Sequence, residues 1–180
     1  MDGYSIDGQR KQRIVVGVSG SLGSLAALHR AAAEARRTDR ELLAVLAWLP
    51  QGGEHGYRLA PCPPLLQVWE ERAAARLTEA LDAAFGGAPT VRLTSHALRG
   101  ETGQVLVRVA DRPDDLLVVG TGTGGWLRRG LRPSVTAYCI KRATCPVLTV
   151  PKPGSPARSP ASAPWWSSRC TPSPGSPGTR

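Results

Sequence analysis

Five short apolar runs, each separated from the next by a stretch of helical composition, constrain this chain more than any other feature. Arg13-Ile14-Val15-Val16-Gly17-Val18 is one; Leu42 to Leu49, Leu116 to Val119 and Pro146 to Val150 are three more. Runs this short and this continuously apolar suit strands buried on both faces. Thr90 to His96 instead alternates Val91, Leu93 and Ser95 with polar neighbours, as a half-exposed edge strand would. Between them, Ser21 or Ser24 can cap a helix to about Arg37, with Leu25, Leu28, Ala32 and Ala35 on one face. Pro64 opens a second helix to Phe85. Leu66, Trp69, Ala73, Leu77, Ala80 and Ala84 form its apolar stripe, and Gly86-Gly87 ends it. Thr102 to Ala110 reads as a third helix and Ser134 to Arg142 as a fourth, while Pro50 to Pro63 reads as a loop. The order βαβαβαβαβ requires a parallel sheet with right-handed crossovers. The expected class is α/β: a five-stranded, doubly wound, Rossmann-like sheet of order 3-2-1-4-5.

Residues 1–12 are polar and read as a flexible N-terminus, and 13–150 as one domain. From Pro151 onward the composition changes. Half of the chain's 16 prolines lie in 151–180, with Ser, Gly and no acidic residue. Such a segment cannot bury enough surface to offset its chain entropy, so a disordered tail is expected. Trp165-Trp166 within it reads as an exposed pair. Lys152, Arg158, Arg169 and Arg180 place four of the nine net positive charges in this tail. What remains on the domain is modest. Without aromatic-basic interleaving or a recognition-helix pattern it reads as solvated arginine, with no specific nucleic-acid partner.

Cys62, Cys139, Cys145 and Cys170 form no CxxC pair, and His29, His55 and His96 stand far apart, so zinc-ligand spacing is absent. The cysteines read as small buried or incidental residues. No apolar run approaches the ~20 residues a membrane span needs, and the expectation is a cytoplasmic protein with no membrane partner.

The chemistry concentrates at Gly120-Thr121-Gly122-Thr123-Gly124-Gly125, directly after the fourth strand and before a helix. Glycines let backbone N–H groups approach an anion, and a helix N-terminus adds partial positive charge. In doubly wound sheets the ligand lies outside the carboxyl ends of the strands where the winding reverses. Here that crevice lies between strands one and four, so Gly17-Val18-Ser19-Gly20-Ser21 and the glycine cluster converge on it. Gly120, Gly122 and Gly125 also satisfy GxGxxG. A dinucleotide fold would carry that motif on its first strand with an acidic residue about 20 positions on, and no acidic residue follows Asp115. A Walker loop is excluded because Gly-Lys-Ser/Thr does not occur.

These residues resemble the universal stress protein family. The likeness covers about Arg13 to Val150 and rests on Ile14 to Ser21, Val118 to Val135 and Cys145-Pro146-Val147-Leu148-Thr149-Val150. The family motif is glycine, two residues, glycine, nine residues, glycine, then serine or threonine, used by ATP-binding members for phosphates and ribose. Counted from Gly120, its last pair falls at Pro133-Ser134 and its middle glycine at Thr123, flanked by Gly122 and Gly124. Proline has no N–H to donate, and Ser19 stands where ATP-binding members carry Asp. Arg128, Arg129 and Arg132 lie beside the cluster, either as phosphate partners or as a solvated face. The resemblance implies ATP or another adenine nucleotide as ligand. It assigns binding to Gly17, Val18, Ser19, Ala47, Val119, Gly120, Gly122, Gly124, Ser134 and Val135. It also implies a homodimer through strand 146–150.

No Ser-His-Asp, Cys-His or paired-carboxylate pattern accompanies the crevice, so no catalytic residue and no metal ligand is assigned. Three readings follow. One is a non-enzymatic regulatory module of the stress response that binds nucleotide. Another is a dimeric scaffold independent of nucleotide, which Pro133 and Ser19 favour. The third is an adenylating pyrophosphatase-like enzyme, since Ser19-Gly20-Ser21-Leu22-Gly23-Ser24 loosely resembles that phosphate loop. There, however, Gly23 replaces an acidic residue and Ser21 a glycine.

Overall fold

The computed structural model describes residues 12–87, 89–121 and 134–154. Its strands are β1 (Arg13–Gly17), β2 (Glu41–Trp48), β3 (Leu93–Arg99), β4 (Leu116–Gly120) and β5 (Val147–Val150). The helices are α1 (Leu22–Thr38), α2 (Gly53–Leu59), α3 (Pro63–Phe85), α4 (Thr102–Val109) and α5 (Val135–Arg142). All strand pairs are parallel and the order is β3-β2-β1-β4-β5.

The pleat sends alternate side chains of the central strands into two separate cores. Ile14, Val16, Leu42, Ala44, Leu46 and Val118 pack with α1 and α3. Val15, Leu43, Val45, Leu117 and Val119 pack with Val105 and Leu106 of α4 and Cys139 of α5. Each fully buried branched side chain stabilises the fold by roughly 1.5–3 kcal/mol. This is why the inner strands are apolar throughout rather than alternating. The helix against β1 buries mostly small residues: Gly23, Ser24, Ala27, Ala31, Ala32 and Ala35, with Leu28 the one large side chain among them. Leu25, expected on that stripe, is only half-buried, because the contact face is rotated toward Ala27 and Ala31. In α3, Ala73, Leu77 and Ala80 are buried, whereas the early turns run past the sheet and leave Leu65 and Val68 exposed.

Two expectations need correction. The edge strand lies at Leu93–Arg99, not Thr90–His96, because β2 sets its register from Leu42↔Leu93 to Trp48↔Arg99. The stretch 50–63 is not all loop: it contains α2. That helix has no buried residue, so it carries no apolar period for a sequence reading to detect.

At the amino end of the sheet, Asp115 is buried to 0% side-chain exposure and takes two bonds from Arg13, at 3.1 Å and 2.7 Å. The Arg13 guanidinium also reaches Asp111 and the carbonyl of Val109, and the backbone N–H of Arg112 donates to Asp115. The Asp115 hydrogen bond, more than any other contact, raises the Arg13 pKa. This clamp ties the start of β1 to the loop before β4. Cys139 and Cys145 are buried and Cys62 is exposed; burial pushes the Cys139 thiol up to about 11.

Candidate functional site at the carboxyl end of the sheet

The winding reverses between β1 and β4, and their carboxyl ends meet the N-terminus of α1. Val18 continues the β1 path and donates from its N–H to the carbonyl of Val45 at 2.8 Å. Gly17 lies on the α4 side, where a β-carbon would come 2.9 Å from Leu106. On the next strand, Val119 is buried and Gly120 pairs with Val150.

Gly120 makes the tightest approach in the site. A β-carbon there would lie 2.3 Å from the carbonyl oxygen of Gly23 and 2.6 Å from its carbon. The backbone of α1 therefore fills the space beside Gly120. The two glycines let a strand end and a helix start touch main chain to main chain, which no side chain would permit.

The β1–α1 turn is held by its own serines. Ser21 is the N-cap, and its hydroxyl accepts from the N–H of Ser24 at 3.3 Å. The Ser24 hydroxyl donates to the Ser21 carbonyl at 2.9 Å and accepts from the Ser19 N–H at 3.2 Å. Ser19 and Ser21 share a bond between hydroxyls at 3.1 Å. Of the two capping candidates Ser21 is thus the cap, and Ser24 braces the turn from below. The Ser19 carbonyl accepts from Arg76 of α3 at 3.3 Å. Arg76, Glu79, Ala80 and Leu25 line an open pocket of about 300 Å³ beside Ser19 and Gly20. Arg76 has no sequence signal for this role, lying 57 positions from Ser19.

Ser134 and Val135 come to the same end through α5. The Ser134 hydroxyl caps that helix by accepting from the Ala137 N–H at 3.1 Å. Thr136 donates to the Gly120 carbonyl at 3.4 Å, which joins the helix start to the end of β4. Ala47 is half-buried on β2 opposite Leu98 and faces the α4 layer. The structure thus brings Gly17, Val18, Ser19, Val119, Gly120, Ser134 and Val135 to the carboxyl end of the sheet where the winding reverses, with Ala47 on the adjacent β2; of these only Ser19 lines the open pocket. Gly122 and Gly124 lie outside the described residues, as do Arg128, Arg129, Arg132 and Pro133.

The crevice offers two helix starts, α1 and α5, whose aligned peptide dipoles favour an anion. Among the described residues no cluster of His, Cys, Asp or Glu could hold a metal ion. Among the same residues no helix is long and apolar enough to cross a membrane.

Comparison with known proteins agrees with this architecture. The universal stress protein family matches residues 11–151. A universal stress protein solved in complex with cAMP is 30% identical, with a TM-score of 0.57, over 79% of this chain and 98% of that one. The universal stress protein UspA from Lactobacillus plantarum is 23% identical, with a TM-score of 0.56, over 79% of this chain and 99% of that one. A family protein from Arabidopsis thaliana, solved with AMP bound, is 18% identical with a TM-score of 0.52 over 79% and 93%. The last two are likenesses of fold. No curated protein matches the chain in sequence.

Proposed function

The chain belongs to the universal stress protein family, and from that premise we propose that it is a regulatory module of the stress response that binds an adenine nucleotide, ATP or a relative of it. The observation that carries this reading is the meeting of Gly17-Val18, Val119-Gly120 and the capped start of α5 where the sheet winding reverses. The 30% identical relative holding cAMP supports it.

The residues present fit such a ligand in part. Ala47, half-buried and apolar, suits the face of a base, with Gly17 and Val18 beside it. Val119, Gly120, Ser134 and Val135 offer main chain and a helix start to ribose and phosphates. Gly122 and Gly124 extend this set in the proposal. Ser19 fits less well: its hydroxyl and N–H are engaged inside the turn, and it cannot accept as a carboxylate would.

Binding rather than catalysis is proposed because the serines of the turn are bonded to one another and not to a general base. A homodimer through β5 belongs to the same reading. β5 is a four-residue edge strand, and such edges are paired, covered or blunted. On α5, Val135 and Ile140 are exposed apolar residues.

The scaffold reading, a dimer without nucleotide, is favoured by Ser19 and Pro133. One experiment separates the two. Purified protein is denatured and the released nucleotide identified, and the emptied protein is titrated calorimetrically with ATP, AMP and cAMP. Released or rebound adenine nucleotide is expected; neither, together with a dimer in sedimentation, would establish the scaffold instead.

A further inference from the structure

We propose that residues 52–62 form a strap at the carboxyl end of the sheet, latched by the Glu54–Arg99 pair, and that its opening sets how fast a nucleotide leaves the neighbouring site. The second half of this proposal rests on the nucleotide-binding reading.

β2 ends at Trp48, directly after Ala47, and the strap that follows begins with Gly52 and Gly53 at φ 84° and 75°. Side chains rarely adopt that conformation, so the turn depends on both glycines. The helix that follows buries none of its residues and has no side-chain cap at its start. A segment without buried side chains opens locally at far lower cost than the core. What holds it is confined to a few side chains. Arg99 donates from Nε and Nη2 to the two oxygens of Glu54, each at 2.7 Å. The same guanidinium lies 4.7 Å from the centre of the Tyr57 ring, and Tyr57 meets Trp69 of α3 edge-on at 6.5 Å.

The two halves of this latch differ in rigidity. Arg99 ends β3 opposite Trp48, and the next N–H, of Gly100, donates to the Trp48 carbonyl at 2.8 Å. The anchor is therefore part of the sheet, while Glu54 and Tyr57 ride on the strap. A two-bond guanidinium–carboxylate contact constrains orientation as well as distance. Releasing it frees the helix to swing about Gly52-Gly53 without disturbing either core.

The test combines hydrogen exchange with nucleotide release in the full chain. Peptides covering 50–62 are followed by mass spectrometry in the parent protein, R99Q, E54Q and the swapped pair E54R/R99E. Both single variants should exchange roughly two- to fivefold faster there, the change expected when a partly exposed pair is lost, with α1 and β1 unchanged. The swapped pair should return toward the parent rate. Release of a fluorescent N-methylanthraniloyl-ATP, measured by stopped flow, should accelerate in parallel. Unchanged exchange in both single variants overturns the latch, whatever the nucleotide data show. Faster exchange with an unaltered release rate overturns the gating and leaves nucleotide binding standing. If no protein in the series binds the probe, the gating fails, the calorimetric titration with ATP, AMP and cAMP decides the nucleotide reading, and the exchange result still decides the latch.

Discussion

The two ends of the sheet are built from different materials. At the amino end, β1 and the approach to β4 are joined by side chains: a buried carboxylate, a guanidinium spread over two aspartates, and a carbonyl. At the carboxyl end β4 meets the start of α1 main chain to main chain, Gly120 against Gly23, and the β1–α1 turn is held by the hydroxyls of its own serines. A buried carboxylate held by a half-buried guanidinium is specific, and its hydrogen-bonding capacity is already taken up within the fold. The carboxyl end instead presents the starts of α1 and α5, whose peptide dipoles favour an anion. The first end contributes stability and the second is where binding is proposed.

The largest effect should come from the sealed end. Arg13→Ala leaves the fully buried Asp115 carboxylate without its guanidinium partner, and removing one member of a buried pair costs about 3–5 kcal/mol. Urea denaturation measures this. A loss under about 1 kcal/mol, the range of an exposed pair, would erase the contrast between the ends.

Next comes Gly120→Val. Family resemblance alone would ascribe its effect to the phosphate space, but the structure puts Gly23 there, so a side chain must push α1 away from β4. Overpacking of this kind costs roughly 1–3 kcal/mol. Denaturation should therefore show lost stability alongside lost nucleotide binding. Lost binding at full stability would mean that the space is open to ligand.

A smaller change should sharpen the proposed binding end. Pro133→Gly restores a backbone donor and Ser19→Asp supplies a carboxylate, and a charge-assisted hydrogen bond is worth roughly 1.5–3 kcal/mol. Together they should tighten ATP binding at least about tenfold in calorimetric titration with Mg²⁺. An unmodified protein that already binds at low micromolar concentration, and a P133G variant that binds no better, would remove position 133 from the site.

The smallest effect is expected from truncation after Pro153. The composition of the tail implies no packed contact, and a surface segment of that kind contributes within about ±0.5 kcal/mol. A drop of many degrees in the melting midpoint would show Trp165 or Trp166 packed on the domain.

Much of this architecture was legible before any coordinates. The runs around Val15, Val45 and Val118 are apolar on both faces, and helices of sufficient length lie between them. A parallel sheet with right-handed crossovers and helices on both sides is the standard way to bury both faces of such strands. The place of the candidate site followed from the point where the winding reverses, and the last helix was read from Ser134 to Arg142, where the structure has Ser134 as its cap.

What escaped the sequence has a common cause. Local pattern reports how a segment meets a core, and some decisive features meet none or meet something distant. The α2 helix buries nothing, so it left no period. The register of β3 was decided by its neighbour β2, because an edge strand of mixed polarity fits more than one alignment. Asp115 looked like a polar residue ahead of a strand until Arg13, 102 positions away, was seen to neutralise it. Gly120 was legible as a glycine that mattered, but not why. The chain by itself determined which segments are strands and helices, and the end of the sheet at which they leave an opening, because those depend on periodicity and chirality. Which side chains seal one end, and which main-chain atoms touch at the other, was decided only when residues far apart in sequence came within a few ångströms, where burial and close contact set the energy.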